Sequence, residues 1–248
     1  MIDKGRVAHS FGRAAHHYEE SAVAQHEIAK YLVSLLCASA PRSVERVLEV
    51  GSGTGFLSRE VLSHFAPSRF TINDITPQME AFVPEVEGVE FICADAESYP
   101  FEGGYDLIVS SSAMQWFSAP EAFVQRMARA LKPGGVLALS SFGMGNFKEL
   151  TSLVGAAIDY HSADGYRAMF GPEFESLTIE ESHLTLHFPT TRELLAHLKL
   201  TGVNGGLSRE PLSITQLKRL VEEYDAKYRS SRGVPITYNP IYMVGKRR

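Results

Sequence analysis

Three glycines fall within five positions of VLEVGSGTGFLSRE, residues 47–60, between an apolar run and a segment with helical spacing. A glycine turn after a strand lets backbone amides approach a ligand that a Cβ would hold off. Two ligand classes use such turns. Dinucleotides take G-x-G-x-x-G, where the third glycine permits helix–strand packing and the helix start faces a pyrophosphate. Here Phe56 fills the third place of that frame, and Ser58 does so when the frame starts at Gly53. The spacing is instead Glu49-x-Gly51-Ser52-Gly53-x-Gly55, with an acid two residues ahead of the first glycine. A carboxylate there suits a ligand with an ammonium or hydroxyl groups better than one with phosphates. Other acids keep register with the loop. Asp74, followed by Ile75, closes the next apolar run and can take a ribose diol; Asp95 and Ala96 close the third, where a base is read. Ser110, Ser111 and Ser112 close the fourth and lead into Met114-Gln115-Trp116.

These positions converge only if the apolar runs are neighbouring strands. VLEVG (47–51), RFTINDI (69–75), VEFICADA (89–96), YDLIVSSSA (105–113) and GVLALSSFG (135–143) alternate with helical spacing over 55–65, 78–83 and 120–131. Lys132-Pro133-Gly134-Gly135 stops the last of these helices. Such alternation specifies a doubly wound α/β fold, with a mostly parallel sheet covered on both faces and ligands at the carboxyl ends of its strands. A helical leader over 5–36 precedes the sheet and can pack over a ligand. After Gly143 the pattern predicts a helix over about 147–160 and a strand in the second half of SLTIEESHLTLHF. Helices over Thr191–Leu200 and Ile214–Tyr228 follow, with a final strand in PITYNPIYMVGKR. The loop 201–211 is too polar for a core.

The set ExGxGxG, an acid ending the second strand, DA after the third and LKPGG before the fifth resembles class I S-adenosylmethionine-dependent methyltransferases over about 45–143. That resemblance implies a seven-stranded Rossmann-like sheet. It places the ribose at Asp74, the adenine region at Asp95 and Ala96, and the methionine moiety near Glu49 and Gly51. The flanks FGRAAHHYEESAVAQHEIAKYL, SSAMQWF, LKLTGVNGG, ITQLKRL and GVPITYNPIYMVGKR resemble the malonyl-acyl-carrier-protein O-methyltransferases of biotin synthesis. The family methylates the free carboxyl of a malonyl thioester. One departure is SSSA, where many relatives carry an Asn after the fourth strand, so no amide-donor role is carried over. Such a carboxylate is ionised at pH 7, so transfer needs alignment and exclusion of water rather than a general base. Tyr18, with His17 behind it, is the first candidate to line the transfer pocket; Gln115 and Trp116 are candidates to wall it. Lys199 and Arg209 flank the loop 201–206 and, with Lys218 and Arg219, could face an acidic carrier.

On this reading residues 1–248 form one domain: a leader (1–44), a cofactor core (45–143) and acceptor-side elements (144–248). The expected partners are S-adenosylmethionine, without a metal, and a malonyl acyl carrier protein or malonyl-coenzyme A. The net charge of −5 conceals +6 from Lys199 to Arg248 and −11 before it, which argues against nucleic acid but leaves a basic patch near the end. Lys246, Arg247 and Arg248 read as a frayed end. No apolar run approaches membrane-spanning length and the N-terminus has no secretory h-region, so a cytoplasmic monomer is expected. Cys37 and Cys93 match no metal spacing and read as buried free thiols. Three rivals remain: a methyltransferase acting on a small carboxylate, phenol or quinone precursor; a nicotinamide oxidoreductase, disfavoured by Phe56 and Ser58; and a cofactor-binding module without turnover.

Overall fold

The computed structural model describes residues 3–41, 43–155, 158–201 and 212–248, the side chains at 14 and 16–20 excepted. The five apolar runs form β1 (Arg46–Val50), β2 (Arg69–Asp74), β3 (Val89–Cys93), β4 (Tyr105–Ser111) and β5 (Leu131–Phe142). They are parallel neighbours in the order β3-β2-β1-β4-β5. Two later strands, β6 (Phe174–Glu181) and β9 (Pro240–Arg247), extend the sheet as β5-β9-β6, with β9 antiparallel to both. The result is the doubly wound, mostly parallel seven-stranded sheet.

Strand alternation divides the core between two faces. Val47, Leu107, Val109, Val136 and Ala138 pack on one side, with Ile28, Leu32 and Leu36 of α2 (Val23–Ser39) and Val61 of α3 (Phe56–His64). Leu48, Ile108, Leu137 and Leu139 pack on the other, with Phe123 and Met127 of α4 (Pro120–Ala130). Asp106 ties the starts of β1, β4 and β5 together. It accepts the amides of Glu45 and Arg46 at 2.9 and 2.8 Å and Lys132 Nζ at 2.7 Å.

The leader is two helices, α1 (Lys4–Ser21) and α2, broken at Ala22. The spacing over 78–83 yields a 3-10 turn, Pro77–Phe82, because Pro77 opens it and Val83 leaves it in extended geometry. The expected helix over 147–160 is α5 (Lys148–Val154), ended by Gly155 at φ +78°. A further helix, α6 (Ala163–Phe170), follows. Ser162 caps it by accepting from the Gly165 amide, a signal present in the sequence but not used there.

SLTIEESHLTLHF and PITYNPIYMVGKR each supply two strands, not one. β7 (Leu184–Phe188) and β8 (Val234–Tyr238) pair in a separate two-stranded sheet, while β6 and β9 join the large one. Asn239 stands at the switch. Its Nδ2 donates to Glu181 Oε1 and the Ser182 carbonyl, and its Oδ1 accepts from the Gly145 amide. The helices α7 (Thr191–Leu200) and α8 (Ile214–Tyr228) cover this small sheet. Lys246 pairs with Glu175, and Arg247 donates to the Leu131 carbonyl, so the basic end is a core strand rather than a frayed tail.

Cys37 and Cys93 are exposed free thiols, contrary to expectation. β3 is the sheet's edge, and its last residue turns Cys93 outward. Among the described residues no helix is long and apolar enough to cross a membrane.

Candidate active site

The carboxyl ends of β1, β2, β3 and β4 open into a cavity of about 1030 Å³, counting the part open to solvent. Gly51, Ser52, Gly53, Asp74, Ile75, Asp95, Ala96 and Ser111 all line it, so the structure brings this set together. Glu49, in β1 just before the loop, and Gly55, at the loop's end, lie outside the lining. The loop is stapled to β2: the amides of Gly51 and Ser52 donate to the Asn73 carbonyl, and that of Gly53 to Asp74 Oδ2 at 2.9 Å. Gly51 sits at φ +71°, and a Cβ there would stand 2.5 Å from Ala113 Cβ. At Gly53 an added Cβ would meet nothing within 4 Å, leaving the backbone open to the cavity. Gly51→Ala combines positive-φ strain with that clash, roughly 2 kcal/mol, and is expected to lower Tm by about 4–8 °C. Unchanged melting would mean the loop and Ala113 simply move apart.

Asp74 is nearly buried and holds two backbone donors: Gly53 N on Oδ2, and Thr76 N on Oδ1 at 2.8 Å. Burial pushes its pKa up, and those amides oppose the rise. Each oxygen keeps a lone pair for a diol. Asp95 lines the cavity and also makes an ion pair that the sequence did not signal. Both of its oxygens accept Lys4 Nζ, at 2.8 and 2.6 Å, and Lys4 also pairs with Glu97. The carboxylate therefore latches α1 over the cavity, which Lys4, Val7 and Phe11 line at helical spacing.

Glu49 is fully buried beneath the loop. Ser58 Oγ donates to its Oε2 at 2.6 Å, while Oε1 has no partner. Burial pushes its pKa up to about 8 against the Ser58 hydrogen bond. Other buried polar atoms at the cavity lack partners too: Gln25 Oε1, Ser52 Oγ, Thr54 Oγ1, Ser112 Oγ and Trp116 Nε1. Orphaned polar atoms are rare inside proteins. Gathered around one cavity with an exposed glycine backbone and two acids, they fit a polar nucleoside ligand bearing an amino-acid tail. They offer no cluster of cations for a pyrophosphate.

A second chamber, about 350 Å³, adjoins the first and shares Phe11, Gln25, Ser112 and Trp116 with it. Its further walls include Gln115, Asn146, Tyr160, Thr201 and Tyr238. Gln115 is held by its Nε2, which donates to the Ser112 carbonyl at 2.6 Å, and Phe11 meets Trp116 edge-on. Tyr18 and His17 have their backbone in the last turn of α1; their side chains lie outside the described residues, as does Arg209. Lys199 on α7 and Lys218 and Arg219 on α8 are exposed and line neither cavity. Sequence reasoning missed Lys4, Phe11 and Gln25. The i, i+3, i+7 row of Lys4, Val7 and Phe11 was the available signal for the first two; Gln25 had none.

The family model described as a methyltransferase domain matches residues 48–139. The malonyl-[acyl-carrier protein] O-methyltransferase of Porphyromonas gingivalis is 33% identical over 99% of this chain and 96% of its own length. Among solved structures, the YcgJ protein of Bacillus subtilis superposes with a TM-score of 0.63 at 20% identity, covering 88% of this chain and 97% of that one. A phosphoethanolamine N-methyltransferase of Haemonchus contortus, bound to S-adenosylhomocysteine, superposes at 0.57 and 20% identity, over 88% of this chain and 52% of that one. Both structures share the fold. The likeness at full length goes further: this chain belongs to the malonyl-[acyl-carrier protein] O-methyltransferase family.

Proposed function

We propose that the chain transfers a methyl group from S-adenosylmethionine to the free carboxyl of a malonyl thioester on an acyl carrier protein, an early step towards biotin, acting as a cytoplasmic monomer. The observation that carries this is where the family likeness falls. It spans α1, the segment after α5, the end of α7 and β8, which build the second chamber, and not only the cofactor core.

S-adenosylmethionine supplies a methyl group on a positively charged sulfur. The chain's residues do the rest. Asp74 takes the ribose hydroxyls while fixing the glycine loop. Ala96 and Ile75 flank the base, and Gly51, Ser52 and Gly53 offer backbone to the amino-acid tail, with Glu49 as a buried charge reserve beneath. Asp95 closes α1 over the base through Lys4. Gln115 and Trp116 wall the acceptor chamber, and Tyr18 and His17 remain candidates to contact the acceptor, their side chains lying outside the described residues. No proton has to move, because the acceptor carboxylate is already ionised. Comparing methyl-ester formation from malonyl-carrier protein, malonyl-coenzyme A and free malonate tests the reading. Turnover confined to free small carboxylates or phenols would overturn it.

The carrier is assigned to the exposed Lys199 of α7 and Lys218 and Arg219 of α8, with Arg209, which lies outside the described residues, as a fourth candidate. Arg219 is partly engaged by Glu223 at 2.6 Å, so Lys199 and Lys218 carry the clearer expectation. Rim charges act on association and are screened beyond about 8 Å at physiological salt. Lys199→Glu with Lys218→Glu is expected to raise KM for the carrier-linked substrate several-fold and to flatten its salt dependence, with little effect on saturated turnover. An unchanged KM would place docking elsewhere.

A further inference from the structure

Three residues that line both cavities each carry a buried polar atom with no partner: Gln25 Oε1, Ser112 Oγ and Trp116 Nε1. They come from separate elements, namely the first turn of α2, the turn after β4 and the 3-10 turn Met114–Trp116. Ser112 stands at φ +55°, a conformation uncommon for any residue but glycine. It is held there from both ends. Its amide donates to the Ser140 carbonyl at 3.1 Å and Ser140 Oγ at 3.2 Å, and its carbonyl accepts Gln115 Nε2 at 2.6 Å. The backbone hydrogen-bonding groups of Ser112 are thus occupied, and its hydroxyl is left over at the junction. Gln25 is 7% exposed. A half-turn of its terminal amide exchanges Oε1 for an N–H₂ donor, since the two ends are interchangeable in shape.

We infer that Gln25, Ser112 and Trp116 form the seat of the acceptor's free carboxylate, holding it with uncharged donors at the mouth of the cofactor cavity. The inference rests on the methyl-transfer reading above; it adds Gln25 and Ser112, which that reading left unassigned, and gives the wall residue Trp116 a donor role. Its chemical logic lies in the charge balance. One carboxylate oxygen gives a lone pair to the methyl carbon, and an O–CH₃ bond forms as the C–S bond breaks. The bonding pair stays on sulfur. A negative and a positive charge vanish together, giving a neutral ester and a neutral thioether with no proton released. A cationic side chain at this point would stabilise the carboxylate before transfer and lose that interaction during it, which raises the barrier. Neutral donors orient the oxygen and lose less. A carboxylate offers about four lone-pair sites to three donors, leaving one free to attack.

Trp116 is the only tryptophan in the 248 residues, so tryptophan fluorescence, excited selectively over tyrosine, reports on this one side chain. With S-adenosylhomocysteine bound, titration with malonyl-N-acetylcysteamine is expected to shift the emission. The corresponding methyl ester, lacking the charge, should bind at least about 10-fold more weakly. Ser112→Ala and Gln25→Met are each expected to weaken the malonyl thioester about 10-fold in the same titration. Trp116→Phe should raise its KM by a similar factor. Calorimetry with S-adenosylhomocysteine should show a much smaller change in each variant. Equal binding of acid and methyl ester overturns the inference, as do variants with wild-type acceptor affinity or variants that lose both ligands equally. If the wild-type enzyme forms no methyl ester from any malonyl thioester, the functional reading itself fails. If it forms the ester and the variants keep their KM, the seat alone is wrong.

Discussion

Asp74→Ala is expected to reduce affinity for S-adenosylhomocysteine by on the order of 100-fold. Charge-assisted hydrogen bonds to a diol are each worth roughly 1.5–3 kcal/mol, and losing one pair already accounts for 10- to 100-fold. The structure adds a second loss. Asp74 Oδ2 also holds the Gly53 amide and Oδ1 the Thr76 amide, so the mutation frees the glycine loop as well as the ribose. Asp74→Asn separates the two effects: its amide oxygen can still accept one of those amides, while the charge is gone. Calorimetry should therefore order the affinities as wild type, then Asn, then Ala. A folded Ala variant with wild-type affinity would remove Asp74 from the site.

Glu49 sets the second large effect, this time on stability against pH. Its carboxyl has a folded pKa of about 8 against an ordinary value of 4.5, because burial disfavours the charged form. Between those values the folded protein holds a proton that the unfolded chain has released. The contribution is fully present below pH 4.5, declines as pH rises to about 8, and is flat above. At 1.36 kcal/mol per pKa unit the loss is on the order of 5 kcal/mol. Glu49→Gln removes this titration, so urea unfolding of the ligand-free protein should show a clearly shallower fall between pH 5 and pH 8 in the variant. Identical slopes would mean that Glu49 is already ionised at neutral pH. A cationic ligand in the adjoining cavity favours the ionised form. Binding S-adenosylmethionine at pH 7 should accordingly release protons, measurable by calorimetry in buffers of different ionisation enthalpy, and more so than binding S-adenosylhomocysteine.

The parallel half of the sheet was legible because its inner strands are buried on both faces and write continuous apolar runs, as Leu107, Ile108 and Val109 do. The cofactor loop was legible because positive φ demands glycine and leaves a spacing behind. The later strands were harder. Sequence pattern shows that SLTIEESHLTLHF can be extended, but not that the turn at Ser182 and His183 divides it between two sheets. That division depends on Asn239, more than fifty residues later, whose bonds to Glu181 and Ser182 are long-range. Asp95 lines the cavity as the strand ends predict, but its bond to Lys4 was not legible, because an ion pair across 91 residues leaves no local trace. The donors of the second chamber escaped notice for a related reason: no periodicity marks Gln25 or Ser112, and only assembly brings both to the walls of the same cavities.

The placement of β9 bears on how the molecule is made. This strand occupies residues 240–247 yet lies between β5 and β6, pairing with both. Until it leaves the ribosome, β5 has an open edge and β6 has no partner in the sheet. The cofactor half can begin to order during synthesis, since β1 to β5 are all made by residue 142. The later half cannot lock until β9 has been made. At about 5–20 residues per second, the nascent protein thus carries an unpaired apolar edge for several seconds. That edge is where a chaperone or a second nascent chain would first engage it.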